Sequence, residues 1–351
     1  MSLLIVGYTG LTHVGASFAR AAEGLGVRPQ FVDAERAFAA PRLLRHVAWH
    51  WRGHRPPALR ALSAEVVSAC ARSRPRWLLT TGLAPVDAWA LKAIGQMGIQ
   101  RLNFLTDDPW NPSLRAGWFF DALRQYDRVY SPRAANLDDL MRHGCRGVAY
   151  LPFGFDPELS FPQEPATAVE WAQLASDVAF VGGADRDRVP FVDALIRTGL
   201  RVAIYGGYWD RFPETRRHAR GHADLATVRK VTRAASVSLC LVRRANRDDH
   251  VMRSFEIAAM RGCMLVEDTP AHRALFGPHG EAVVYFQTVP EMLDQVRRLL
   301  GSKTDRQRLA AAVYQRVHAG SNTYADRLRT MLNLDEAPTL QPDATPGLTA
   351  V

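Results

Sequence analysis

Residues 253–276 read RSFEIAAMRGCMLVEDTPAHRALF, and this stretch decides the fold. An arginine and a glutamate, Arg253 and Glu256, open a helix-like run, and Gly262 stops it. Residues 263–266 follow as a short apolar run that ends in the acidic pair Glu267 and Asp268. Helix, glycine stop, buried strand and polar loop is the punctuation of a parallel α/β sheet. In such a sheet the loop after a strand lies at the carboxyl edge, where ligands bind. Arg253 offers a charged planar fork to a phosphate. Glu256 can accept hydrogen bonds from ribose or sugar hydroxyls.

The same punctuation extends in both directions. Apolar runs at 2–10, 27–34, 76–81, 99–108, 127–133 and 147–157 read as strands. Helical patterns at 17–26, 59–71, 85–97, 114–125 and 134–143 separate them. The proline-rich run 157–165 breaks this order. It then restarts, with strands at 177–183, 200–207, 236–242, 263–266 and 282–286 and helices at 188–197, 227–234, 253–261, 289–300, 305–319 and 323–332. Alternation of this kind means parallel sheets with crossover helices. The expected organisation is a first Rossmann-like domain at 1–158, a linker at 159–176 and a second Rossmann-like domain at 177–320. A final helix at 321–334 and a disordered proline-rich tail at 335–351 follow.

Composition narrows the function classes. With 351 residues, 47% of them hydrophobic, the chain can fill two packed cores. No apolar run approaches the ~20 residues that span a bilayer, and MSLLIVGYTG lacks the basic start of a signal peptide. Cys70, Cys145, Cys240 and Cys263 are scattered, without metal-ligand spacing, as in a reduced cytoplasmic protein. The formal net charge of +9 fits nucleic acid, an anionic membrane surface or a phosphorylated small molecule as partner. No nucleic-acid motif accompanies it. Arginine is densest at 41–62, where Arg42, Arg45, Arg52, Arg55 and Arg60 stand with Trp49 and Trp51 and no acid. That segment reads either as a solvated basic face with inward tryptophans or as a patch for a membrane surface or polyanionic acceptor.

The stretch 253–276 resembles the C-terminal signature of GT-B glycosyltransferases, specifically the CgeB-type (spore-maturation) group of the group 1 enzymes. Met260-Arg261 departs from the small residues or glycine usual there. The resemblance is densest at 102–157 and 178–332. NFLTDDPWN is similar to the family's Asp-Asp-Pro turn, FVGGADRDR to its Phe-Val-Gly loop and YGGYWDR to its Tyr-Gly-x-x-Trp turn. LCLVRRANRDDHVMRSFE is similar to its basic loop leading into Arg-x-Phe-Glu, with Arg243 in place of a histidine.

The resemblance implies a GT-B fold and a nucleotide-diphospho-sugar (UDP-, GDP- or TDP-) as co-substrate, with no other cofactor and no metal. It also implies retention of configuration at the sugar. The cysteines point to a cytoplasmic protein, and the basic segment 41–62 to peripheral contact at the inner face of an anionic membrane. The acceptor is not specified. Donor-side candidates are Gly10, Gly182, Gly183, Arg186, Arg188, Tyr208, Trp209, Arg244, Asn246, Arg247, Asp248, Arg253 and Glu256. Glu256, Arg253, His13 and Asp108 are the candidates for catalysis. Asp107 and Asp108 can bind acceptor hydroxyls or supply a base, and they can equally cap a turn. His13 faces either the cleft or solvent. Arg186 and Arg188 can meet a diphosphate or start a solvated helix. A nucleotide-sugar epimerase of the same fold and a non-catalytic polyanion-binding module are the rival readings. The absence of GxGxxG argues against a dinucleotide-binding dehydrogenase.

Overall fold

The computed structural model describes residues 1–41, 46–48, 51 and 53–334. Arg42, Arg45, Trp49 and Arg52 of the basic segment, and the whole of 335–351, lie outside the described residues. Two all-parallel sheets form, one in each half of the chain. The first has six strands in the order β2-β1-β3-β4-β5-β6. They are β1 Ser2–Gly7, β2 Arg28–Asp33, β3 Trp77–Thr81, β4 Gln100–Phe104, β5 Arg128–Ser131 and β6 Val148–Tyr150. The second has five strands in the order β11-β10-β9-β7-β8. They are β7 Ser176–Val181, β8 Val202–Tyr205, β9 Ala235–Cys240, β10 Met264–Glu267 and β11 Val284–Phe286.

Helices cover both faces of these sheets, so their central strands must be apolar throughout. β3 and β10 are accordingly buried at every position. All four cysteines are buried and unbonded. No described helix is long and apolar enough to cross a membrane.

Most strands are shorter than the apolar runs that announced them, and where a run loses its last residues these belong to the loops at the carboxyl edge. Two elements differ in kind. The segment expected to be an unstructured linker carries the helix Ala168–Leu174, capped by Thr167 Oγ1 on the Glu170 amide. The loop after β10 folds into a second short helix, Pro270–Phe276, capped by Thr269. At the departure noted in the signature, Met260 is fully buried and Arg261 takes φ +60°. A β-carbon on Gly262 would come within 2.7 Å of Ile257 and Thr232, so the chain must turn tightly there to enter β10.

The last helix, Tyr324–Leu332, returns to the first domain. Phe155 donates its amide to the Asn322 carbonyl at 3.0 Å and accepts from the Tyr324 amide at 3.0 Å. Gly154 is needed for this approach, since a β-carbon would lie 2.8 Å from the Asn322 oxygen. Arg327, only 7% exposed, donates to the carbonyls of Pro152 and Phe153. The Tyr324 ring meets Phe18 edge-on at 5.2 Å, and Phe18 meets Phe104 at 5.4 Å. The core of the first domain is thus completed by residues more than 300 positions away from its first strand.

Phe18→Ala is expected to lower unfolding free energy by about 3–5 kcal/mol, because it empties this shared contact. Urea titration followed by circular dichroism measures the loss. A change within about 0.5 kcal/mol, the size of an ordinary surface effect, would show that the returning helix does not depend on it.

Candidate active site

Parallel strands put all their following loops on one edge, and the two sheets present those edges to each other. Three cavities open along this junction. The first, about 550 Å³, lies in the N-terminal domain and includes Tyr8, His13, Glu35, Phe38, Asp107 and Trp118 in its wall. The second, about 230 Å³, lies between the domains and includes Arg133, Gly182, Arg243, Asp248, Arg253 and Glu256. The third, about 750 Å³, lies in the C-terminal domain and includes Gly183, Gly206, Tyr208, Arg211, Arg216, His222 and Arg253. Thr106, Asp107 and Met252 border both the first and second cavities. Gly182, Gly183 and Arg253 border both the second and third. The three are therefore consecutive rather than separate.

The centre is the start of the helix Met252–Ala259. Its amide end opens on the middle cavity, which suits an anion through the unpaired amides and the helix dipole. Arg253 and Glu256 lie one turn apart there, with Nη1 and Oε2 at 2.7 Å. The two are close enough to form an ion pair but misaligned for a hydrogen bond, and the buried Glu256 Oε2 finds no other hydrogen-bond partner. That oxygen retains accepting capacity beside the cavity.

The helix is fixed from behind. Ser254 Oγ accepts the Val251 amide and contacts His272 Nε2 at 2.8 Å, while His272 Nδ1 meets the Glu267 carbonyl at 2.8 Å. This chain requires His272 to be neutral with its proton on Nδ1. Burial lowers its pKa to about 4. His250, likewise fully buried, accepts the Phe153 amide at Nε2, and burial lowers its pKa to about 3.

Several candidates have their polar groups engaged by partners across the domain junction. Asp108 is 1% exposed, takes both nitrogens of the Arg247 fork and accepts from Asn136 at 2.8 Å. A carboxylate so enclosed is not placed to act as a base on an acceptor. Arg247 also meets Asp139 at 2.7 Å. Asn246 accepts from Asn111 at 2.8 Å, and Asp248 is bonded to the buried Arg133. The run 246–250, read as a cradle for a diphosphate, is a strut across the domain junction.

Arg244 pairs with Glu267. Arg188 is buried and donates to the carbonyls of Gly183, Leu241 and Val242, so its fork is directed into the protein. Trp209, 1% exposed, donates Nε1 to the Gly182 carbonyl at 2.8 Å and is core rather than a platform for a base. Arg186 is exposed outside the cavity walls.

Other candidates are brought together. Gly182 and Gly183 form the wall between the two donor-side cavities. Tyr208, 56% exposed at φ +72°, stands over the larger one with Arg211 4.3 Å from its ring. His13 caps the helix Val14–Gly24 and lies 5.3 Å from the Tyr8 ring. A β-carbon on Gly10 would strike the His13 ring at 2.6 Å, so Gly10 is what lets the imidazole fold over its own loop.

Sequence reasoning missed four contributors. Arg243, the residue noted only as replacing a histidine, extends beside Gly183 into the middle cavity. A basic residue immediately after a central strand was the available signal. Gly206 takes φ +129° with its α-carbon against Gly182, where a β-carbon would lie 2.2 Å from the Gly182 oxygen. Arg216 and His222 reach the third cavity from a stretch without a regular period, and no local signal marked them. Among the described residues no group of three or more His, Cys, Asp or Glu is placed to hold a metal.

Residues 186–333 match the family model described as Glycosyl transferase-like. No curated protein sequence matches the chain. The structure is similar to sucrose-phosphate synthase from Thermosynechococcus elongatus, with 12% identity, 95% of this chain and 98% of that chain covered, and a TM-score of 0.67. It is also similar to Anabaena HepE in complex with UDP and glucose, with 12% identity, 95% and 99% coverage and a TM-score of 0.64. A third similar structure is a UDP-forming α,α-trehalose-phosphate synthase from Burkholderia xenovorans, in complex with glucose-6-phosphate. It shows 12% identity, 95% and 100% coverage and a TM-score of 0.63. The fold is GT-B. The family match falls on the C-terminal domain, which holds the third cavity and part of the wall of the second.

The buried histidines give the GT-B junction a pH dependence. Their native pKa values are depressed from 6.5, so the stability they carry is full above pH 6.5 and is lost as pH falls towards 4. Burial pushes Asp248 from 3.8 up to about 6 against the pull of Arg133, so its term runs the other way and weakens the fold as pH rises through 6. Two histidines outweigh one carboxylate. Moving from pH 7.5 to pH 5 should therefore cost on the order of 2–3 kcal/mol. Urea unfolding at the two pH values checks this, and His272→Gln should shrink the difference. Equal stability at both values would mean that the histidines are charged or solvated in the native state.

Proposed function

We propose that the protein transfers a sugar from a nucleotide-diphospho-sugar to an acceptor hydroxyl, with retention of configuration and without a divalent metal. The observation that carries this reading is the shared walls of the three cavities, with Arg253 on the wall common to the second and third and Glu256 beside it in the second. The nucleoside occupies the large C-terminal cavity, where Tyr208 offers a face for stacking, and the sugar reaches into the middle cavity towards the first. The UDP in the Anabaena HepE complex makes UDP-sugars the first donors to test. The diphosphate lies in the middle cavity against Arg243, Arg253 and the amide end of the helix Met252–Ala259. Glu256 accepts hydrogen bonds from the donor's hydroxyls through its carboxylate.

Charge grows on the leaving diphosphate as the C1–O bond breaks, and fixed guanidinium and amide groups stabilise that charge more than the ground state. The acceptor oxygen bonds to C1 on the face the phosphate leaves, and its proton passes to a phosphate oxygen. No side chain need act as base, which fits an Asp108 locked in the domain strut.

Glu256→Ala and Arg253→Ala should each lower turnover by about 10²–10³ while the protein stays folded. A saturating nucleotide sugar should raise stability by ~2.7 kcal/mol at a hundred times its dissociation constant. The assay is a thermal-shift panel of UDP, GDP and TDP sugars, followed by product analysis of the one that binds, with and without EDTA. Unchanged kinetics in folded Glu256→Ala refutes the site, and activity lost to EDTA and restored by Mg²⁺ refutes metal independence. An isomerised nucleotide sugar without transfer would identify an epimerase.

The basic segment 41–62 brings this acceptor side to an anionic membrane in the cytoplasm. Trp51, 81% exposed, and the exposed Arg55 and Arg60 support the contact. Each arginine near such a surface adds about 1 kcal/mol. Anionic vesicles should sediment the protein at low salt and release it when Arg55 and Arg60 are replaced by alanine. Equal recovery with neutral vesicles would remove the proposal.

A further inference from the structure

We infer that the 550 Å³ cavity of the N-terminal domain takes an uncharged acceptor with an apolar or aromatic face, and that it turns away phosphorylated acceptors. This rests on the transfer reading above and adds the chemical class of the acceptor.

The argument is the distribution of charge. The chain carries 44 lysines and arginines, yet none of the described residues forming this wall is one of them. The middle cavity has Arg133, Arg188, Arg243 and Arg253 in its wall, and the third has Arg211, Arg216 and Arg253. The first cavity has two carboxylates instead, Glu35 and Asp107. Asp33 stands just behind, bonded to Thr9 Oγ1 and to the Glu35 amide. Burial and these three carboxylates together raise the Tyr8 phenol pKa. Of the nearby arginines that are described, Arg55 is held to Asp87 at 3.2 Å and Arg36 to Glu65. A phosphate entering here would lose its water, meet no lysine or arginine among the described wall residues, only the imidazoles of His13 and His54, and face two carboxylates.

The rest of the wall suits a different guest. Phe38, Leu83, Leu114 and Trp118 make an apolar floor, and Trp118 is fixed by its Nε1 bond to the His54 carbonyl at 3.1 Å. The volume is that of a pocket for a small organic ligand. A flat apolar face packs on the aromatics. Hydroxyls find acceptors in Glu35 and Asp107, which accept and cannot donate while ionised. Asp107 also borders the diphosphate cavity, so a hydroxyl held by it lies next to the donor. Glu35 is exposed at the opposite rim and sets the charge there without a side-chain partner to disturb.

The test uses the full chain and a matched pair of probes, phenyl β-D-glucopyranoside and its 6-phosphate. Binding is read by tryptophan fluorescence with UDP present. The neutral probe should bind at least about tenfold more tightly than the phosphate. Glu35→Arg should bring the two within about threefold by tightening the phosphate alone, and Glu35→Gln should fall between. Equal or tighter binding of the phosphate to the wild type overturns the inference, and so does failure of both probes to bind. If discrimination is seen while no nucleotide sugar binds or is consumed, it is the transfer reading that falls and the charge selectivity of the cavity that stands.

Discussion

The structure depends on one buried junction of opposite charges. Arg133, 2% exposed, is bonded to Asp248 from the other domain and gives its remaining donors to the carbonyls of Leu105 and Thr106. Beside it, Asp108 holds the Arg247 fork. Ions taken out of water lose several kcal/mol of hydration each, and only complete pairing offsets that. The reward is geometric. A guanidinium with all three nitrogens engaged admits one position of the partner, whereas an apolar junction of the same area would tolerate sliding. The loop pinned by these pairs runs directly into the helix that carries Arg253 and Glu256. The cleft therefore owes its spacing to residues that do not face it.

That arrangement also explains why the fold was legible and the roles were not. Parallel strands buried on both faces are apolar throughout, so each appears as an uninterrupted run between polar loops. The helix Ala168–Leu174 left no such trace. It is seven residues long, none of them is buried, and it is held by the Glu170–Lys230 pair rather than by an apolar stripe. Without a buried face there is no period to read.

The site shows the same limit at closer range. An arginine-rich loop before a helix looks identical whether its anion is a diphosphate or an aspartate 139 positions away, as Asp108 is from Arg247. Tyr208 and Trp209 are adjacent aromatics with equal claims to a base. Only the left-handed turn at Tyr208 decides that the first points outward and the second into the core. By contrast, the placement of Arg253 and Glu256 at the helix start was legible, because i and i+3 share a face of any helix.

Net charge was the least reliable guide, for a physical reason. Arginine is the side chain best suited to satisfying several carbonyl oxygens at once, and much of this chain's positive charge serves that purpose. Arg188 holds three carbonyls behind the Gly182-Gly183 turn, and Arg327 ties the last helix to the Pro152-Phe153 backbone. Such residues add to the formal charge while presenting none of it to a ligand. What a partner meets is the small remainder that reaches the cavities, and among the described residues the arginines of that remainder line the second and third cavities while none lines the first. The field therefore differs from cavity to cavity, although the formal charge of the chain has a single sign.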